Sequence, residues 1–425
     1  MKVMVIGSGG REHALCWALA QSPRVTEIVC APGNGGMAQM ARCLPVDQHN
    51  VDEMLALISR ESPDLVIVGP ELPLSLGLVD QLELRGIRTF GPTQAAAMLE
   101  TSKGYAKRFM QRHQIPTAGF AVCATEQEAH AALDHFHLPV VIKADGLAAG
   151  KGVLICETKE EAKQAIAGLL SGQLLGNPET NIVVEEFLTG EEISFLVLSD
   201  GKHVSALVSA QDHKRVGEGD TGLNTGGMGT YTTPEMLDDQ MRDWILHRIV
   251  QPTIDGMAAE DKPFRGVLYC GLMMTARGPM VLEYNTRFGD PETQSILMRL
   301  DSDISEALIA CTEERLSETE LKWRPGASAC VIAASGGYPG DYKTGFPITG
   351  LDEAAALPGV AVFHAGTALS DGKIVTSGGR VLGVTAIGDD LKQALARAYE
   401  AIDKIHFEGI FFRRDIGHRA LKAQA

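Results

Sequence analysis

Met280-Val281-Leu282-Glu283-Tyr284-Asn285-Thr286-Arg287-Phe288-Gly289-Asp290-Pro291-Glu292 reads as a strand running out into a turn. Val281, Leu282 and Tyr284 favour pleated, half-buried positions. Side chains alternate along a strand, so Glu283, Asn285 and Arg287 point to one face. A carboxylate, a neutral amide oxygen and a guanidinium together suit a hard cation bound to phosphate, with the arginine clamping an anion beside it. The same residues also describe an exposed strand face with one salt bridge. The rest of the chain has to decide between the two.

At 425 residues the chain is long enough for about two to four domains, each with its own core. Its composition, 45% hydrophobic and 22% charged, is that of an ordinary globular protein. No apolar run approaches the roughly 20 residues of a membrane span. Met1 to Gly7 leads directly into a strand and a glycine turn, so no signal peptide is expected. The eight cysteines form no CxxC pair and no zinc-like spacing, which predicts reduced thiols and a cytoplasmic location. A net charge of −16 argues against nucleic acid as a partner. Small anionic substrates are compatible with it where cations and backbone N–H groups converge.

Lys2 to Ile6 is a short apolar strand, followed by Gly7-Ser8-Gly9-Gly10-Arg11-Glu12-His13 and a helical run from Ala14 to Ala20. Strand, glycine turn and helix aim N–H groups and a helix dipole at a phosphate. The dinucleotide fingerprint is incomplete, because Glu12 replaces its third glycine and the strand Glu27 to Cys30 ends without an acidic residue for a ribose. This makes an NAD-dependent oxidoreductase the weaker reading and leaves a sugar-phosphate site or a purely structural turn. A helix near Val51 to Arg60 and further strands at Leu65 to Val68 and Ile87 to Phe90 predict a parallel α/β sheet. The Gly7 turn, Gly33-Asn34 and Gly69-Pro70-Glu71 all fall at the carboxyl edge of that sheet, where ligands bind.

Thr101-Ser102-Lys103 begins a helix to about His113, and a second helix is expected over 125–137. Pro139 to Lys143 is an apolar strand ending in a lysine, and Gly146-Leu147-Ala148-Ala149-Gly150-Lys151-Gly152 follows it. The P-loop pattern fails: only three residues separate Gly146 from Gly150, and Gly152 replaces the hydroxyl residue. A glycine-rich β-hairpin lid remains, with Lys143 at its base; an ordinary exposed hairpin is the alternative. The loop from Gly217 to Gly229 is costly to order and predicts close approach of a ligand to backbone.

Together, Gly7 to His13, Val68 to Glu71, Ile142 to Gly152, Val184 to Leu188, Gln211 to Val216, Asn224 to Gly229, Glu283 to Glu292 and Gly336 to Tyr342 resemble the ATP-grasp superfamily. Within it they resemble the glycinamide ribonucleotide synthetase family, from end to end of the chain. The resemblance implies three parts: an N-terminal α/β domain over 1–102 that binds phosphoribosylamine, an ATP-grasp domain over 103–325 with a lid at about 120–190, and a small α/β domain over 326–425. It implies that Lys103 and Lys143 contact ATP phosphates under a lid containing Gly146, Gly150, Lys151 and Gly152. Glu185 and Leu188 are expected to meet adenine through backbone groups and Glu192 to meet the ribose. Glu283 and Asn285 are expected to hold Mg²⁺ or Mn²⁺. Gly9, Gly10, Asn34, Glu71, Asp212, Lys214, Arg287 and Asp290 are the candidate substrate contacts.

One departure stands out. Many ATP-grasp enzymes carry another metal-binding glutamate on the preceding strand, where this chain has Tyr269-Cys270-Gly271-Leu272. Phosphate and water then have to complete the shell. The implied reaction joins glycine to 5-phosphoribosylamine through glycyl phosphate at the expense of ATP. Arg287, Lys143 and Asp212 are the expected catalytic group, with Arg287 serving the activated carboxylate rather than a nearby acidic side chain. The expected partners are small molecules only, with no membrane, for a chain acting as a monomer. A ligase for a different acid and amine, and a nucleotide sensor without turnover, are the competing readings.

Overall fold

The computed structural model describes residues 1–147 and 152–423. The strands Arg42–Cys43, Glu27–Pro32, Lys2–Gly7, Leu65–Val68 and Thr89–Phe90 lie side by side, in that order, as a five-stranded parallel sheet. Val3, Met4, Val5 and Ile6 are all fully buried, as expected for a strand covered on both faces. Val3 and Val5 pack with Ala14, Leu15 and Leu19, while Met4 and Ile6 pack with Met54, Ile58 and Leu78.

The first helix is Gly10–Leu19, so it begins earlier than the apolar period from Ala14 suggests. The reason is local: the Glu12 carboxylate accepts from the Gly9 N–H at 2.6 Å and caps the first turn. Other ends also shift inward, the helix expected over 125–137 being Glu126–Leu133.

Two antiparallel sheets make up the middle of the chain. One has the order Val204–Ala206, Glu191–Asp200, Arg265–Thr275, Gly278–Asn285. The other has the order Phe120–Cys123, Ile182–Glu186, Val140–Ala144, Val153–Cys156. The helices Glu126–Leu133 and Lys159–Leu170 share its core through Ala129, Leu133, Ile166 and Leu169. Val140–Ala144 and Val153–Cys156 pair antiparallel on either side of the glycine-rich segment. Gly150 and Lys151 lie outside the described residues.

The last sheet contains a feature that the sequence does not show. Its order is Gln211–Asp212, Gly229–Thr232, Ala327–Ala334, Arg380–Gly388, Val360–His364, so strands from the middle of the chain extend a C-terminal sheet. Asp212 pairs with Thr230, and the Thr230 hydroxyl donates to the Pro291 carbonyl at 3.0 Å. The turn after Arg287 is thereby tied to this sheet. Among the described residues no helix is long and apolar enough to cross a membrane.

Candidate active site

A cleft of about 830 Å³ opens where the sheets meet, with a smaller cavity of about 370 Å³ beside it. The strand Gly278–Asn285 forms one wall. Its period-two reading holds: Tyr284, Thr286 and Phe288 are buried, while Glu283, Asn285 and Arg287 are half-buried and line the cleft. Tyr284 anchors the strand from behind through a 2.7 Å bond to the Thr253 hydroxyl.

Glu283 faces Gly271 on the neighbouring strand, so no second carboxylate stands opposite it. Withdrawal from water acts to raise its pKa, but Lys214, Lys143, Lys103 and Arg287 outweigh that and hold it below the ordinary carboxylate value. Among the described residues no group of three or more ligating side chains could enclose a metal. Asn285 Oδ1 accepts from Arg287 Nη2 at 3.2 Å. Glu283 and Asn285 thus supply two hard oxygens, a donor set that fits part of a Mg²⁺ shell and leaves the remainder to phosphate and water.

The base of the lid is an ion triad. Glu185, only 2% exposed, is shared between Lys143 at 2.6 Å and Lys107. Lys143 also points at the Leu282 carbonyl, 3.3 Å away, and so bridges the lid sheet to the wall strand. Lys107 donates to the Thr117 hydroxyl at 2.7 Å, which in turn donates to the Val281 carbonyl at 2.6 Å. Burial and the neighbouring Lys143 overcome the attraction of Glu185 and push Lys107 down to about 8. Sequence reasoning missed Lys107. The signal was available, since four residues along one helix from Lys103 puts both ammonium groups on one side. Lys103 itself reaches the Gly146 carbonyl at 3.1 Å.

Glu192 pairs with Lys214. Withdrawal from water works against the Lys214 charge, yet Glu192, Glu283 and Asp212 raise its pKa above the normal lysine range. Leu188 is buried along the cleft wall. Asp212 is the opposite case. Its Oδ1 is buried with no hydrogen-bond partner, and burial together with the Glu292 carboxylate raises its pKa well above the usual value. Glu292 accepts from the hydroxyls of Tyr269 at 2.8 Å and Ser194 at 3.1 Å.

Arg287 does have acidic side-chain partners, contrary to expectation. Its Nη2 is 3.0 Å from Glu100 Oε1, and its Nε is 3.4 Å from Glu71 Oε2. Glu100 also accepts from the N–H and hydroxyl of Thr286, at 2.7 and 3.0 Å. Local sequence gives no hint of this, because Glu100 lies far back in the chain.

The glycine turn also differs from the expected anion cradle. The Gly9 N–H is taken by Glu12, and the Arg11 N–H donates to Asp290 Oδ2 at 3.2 Å. A Cβ on Gly10 would collide with Gln294, whose Nε2 would be 2.4 Å away. Asn34 lines the small cavity with its amide fully used: it donates to Ser8 and His364 carbonyls, each at 2.8 Å, and accepts from the N–H groups of Gly36 and Met37. It braces the loop. The small cavity is completed by Gly366, Thr367, Ser377, Tyr338 and Arg380 from the last third of the chain, residues to which sequence reading assigned no chemistry.

Comparison with known proteins agrees over the whole length. Models of the phosphoribosylglycinamide synthetase N domain, ATP-grasp (A) domain and C domain match residues 1–100, 101–293 and 328–419. A Synechocystis phosphoribosylamine–glycine ligase is 50% identical over 99% of this chain and 100% of its own length. The enzyme of that name from Vibrio parahaemolyticus is 47% identical over 99% of each chain. The crystal structure of phosphoribosylamine–glycine ligase from Thermotoga maritima superposes with a TM-score of 0.87 at 35% identity, covering 98% of this chain and all of the other. The parallel N-terminal sheet, the paired antiparallel sheets and the C-terminal sheet are thus the architecture of a known enzyme family, and the chain belongs to the phosphoribosylglycinamide synthetase family of ATP-grasp ligases.

Proposed function

We propose the following assignment of the cleft to the family's reaction, the ATP-dependent ligation of glycine to phosphoribosylamine. A carboxylate is a poor electrophile because its leaving group would be oxide, and phosphorylation turns that leaving group into phosphate. Lys143, Lys103 and Lys214 act together on Glu283 and suit the triphosphate of ATP. Glu185 holds Lys143 in place, while its backbone and that of Leu188 remain suited to adenine. Glu283 and Asn285 hold the divalent cation, Mg²⁺ or Mn²⁺, which when bound neutralises charge on the transferring phosphoryl group.

Glycine enters with its ammonium on Asp212 and its carboxylate toward Arg287 and the γ-phosphorus. The carboxylate oxygen attacks phosphorus, ADP leaves, and glycyl phosphate forms. The neutral amine of phosphoribosylamine then attacks the acyl carbon, the C–O bond to phosphate breaks, and the nitrogen's proton leaves with the phosphate, so no strong general base is needed. Arg287, pinned by Glu100, presents a fixed charge to the acyl phosphate. The small cavity beside Asp290 suits the sugar phosphate, with Arg380, Ser377 and Thr367 as donors. Free cysteines throughout the described residues support a reducing, cytoplasmic setting.

The unsatisfied buried oxygen of Asp212 beside a cation-lined cleft carries this reading. A buried carboxylate without a partner is costly unless a ligand cation completes it. ADP release measured with glycine and phosphoribosylamine, each omitted in turn, tests it. Full turnover requires both, and turnover indifferent to phosphoribosylamine would sink the assignment.

A further inference from the structure

Arg380 stands between the two cavities and lines both. Its Nη1 donates to the carbonyls of Gly226 at 2.6 Å and Asp290 at 2.8 Å, and more distantly to Gly227 at 3.4 Å. Its Nη2 lies 3.4 Å from Asp290 Oδ1. The Tyr338 hydroxyl, also shared by both cavities, accepts from the Gly226 N–H at 3.1 Å. Side chains of the last third of the molecule therefore hold the Gly226 residue by its N–H and its carbonyl.

Gly227 follows at a φ of +113°, and a Cβ there would stand 2.7 Å from Asp212 Oδ1. Hydrogen bonds thus run from the small cavity through Arg380 to Gly226-Gly227, and Gly227 leaves no room for even a Cβ beside the unsatisfied oxygen of Asp212.

We propose that Arg380 is a positioning residue that couples the two cavities, so that a sugar phosphate in the small one tightens glycine binding in the other. The proposal rests on the reading of Asp212 as the ammonium site. A phosphate entering the small cavity adds a charge-assisted partner to a guanidinium already spanning the glycine loop. The loop is then fixed against Asp212 before glycine arrives, and glycine no longer bears the cost of ordering it. The chemistry gains from this order. Glycyl phosphate made before the amine is seated is exposed to water, and coupling disfavours that state. Lysine cannot replace the arginine here, because a single ammonium does not reproduce the planar fork that meets several carbonyls and a carboxylate together.

Glycine is titrated into the full chain holding Mg²⁺ and a non-hydrolysable ATP analogue, with and without saturating ribose 5-phosphate. Ribose 5-phosphate lowers the glycine Kd about tenfold, and glycine lowers the ribose 5-phosphate Kd by the same factor, as linkage demands. In Arg380→Lys ribose 5-phosphate binds more weakly, since Arg380 is one of its donors, and at a concentration that saturates the variant the factor falls to about one. In Tyr338→Phe, which removes only the acceptor for Gly226, the factor is intermediate, and thermal melts of both variants establish folding. A factor of one in the native chain, or an unchanged factor in Arg380→Lys, overturns the coupling alone. Glycine binding that is absent from the native chain, or unaltered in Asp212→Asn, overturns the ammonium site and the coupling with it.

Discussion

Arg287 Nη2 lies 3.0 Å from Glu100 Oε1, so the guanidinium at the end of the wall strand is held by a carboxylate from the helix that leads into the ATP-grasp domain. Both side chains are largely withdrawn from solvent, at 17% and 5% exposure. Removing one partner of such a pair strands the other charge. Glu100→Ala is expected to cost about 3 kcal/mol in urea unfolding. The same variant lowers kcat, because Arg287 is no longer aimed. Unchanged stability would show that Glu71 alone satisfies the arginine.

Asp212 gives a pH signature. Burial and Glu292 raise its pKa, so on acidification the free enzyme takes up a proton there before ordinary carboxylates do. Only the ionised form attracts an ammonium. Glycine affinity is therefore complete above that raised pKa and falls as pH drops through it. Asp212→Asn raises the glycine KM about 100-fold, equivalent to roughly 3 kcal/mol, and flattens this acid limb. A glycine KM profile that keeps its shape in the variant removes Asp212 from the site.

Glu283→Ala removes the only carboxylate of the proposed metal pair, while Lys143 and Lys214 keep Glu185 and Glu192 as partners. Turnover is expected to fall about a thousandfold, the equivalent of several kcal/mol of lost phosphoryl-charge stabilisation. Circular dichroism and the melting temperature should stay near those of the native chain, since Glu283 faces the cleft. Near-normal activity at any Mg²⁺ concentration would relocate the metal.

Lys143→Ala is expected to slow acyl-phosphate formation about 100-fold. Pre-steady-state phosphate release reads this directly. Glu185 keeps Lys107 as a partner in that variant, so the lid remains folded. A burst of unchanged size and rate would restrict Lys143 to a structural brace between the lid and the Leu282 carbonyl.

Three buried histidines predict the acid limit of the fold. Burial holds His13 at about 3, helped by His364, and holds His213 and His364 at about 4. An unfolded histidine titrates near 6.5, so unfolding takes up protons below that pH. Stability from these groups is fully present above about pH 6.5 and declines as pH falls from there toward 4 and 3. Urea midpoints at pH 7.5 and pH 5 measure it, and His13→Asn should shrink the difference.

What the sequence discloses follows the range of the forces involved. The common face of Glu283, Asn285 and Arg287 is legible because strand alternation is local, and the pairing of Val140–Ala144 with Val153–Cys156 is legible because glycines separate two apolar runs. The partners of those residues are not. Glu100 reaches Arg287 from far back in the chain, and Arg380 and Tyr338 reach the glycine loop from the last domain. Lys107 was open to detection from helix spacing alone. The extension of the C-terminal sheet by Gln211–Asp212 and Gly229–Thr232 left no local trace, because their partner strand Ala327–Ala334 lies about a hundred residues further along the chain.

Glu12, the residue that spoils the glycine fingerprint, has a wider consequence. Its carboxylate fills the space over Gly7 and Gly69 and takes the Gly9 N–H that a pyrophosphate would otherwise claim. The N-terminal domain thus carries its own resident anion. A pyrophosphate would meet a filled socket there, because the N–H it would take is already bonded inside the protein.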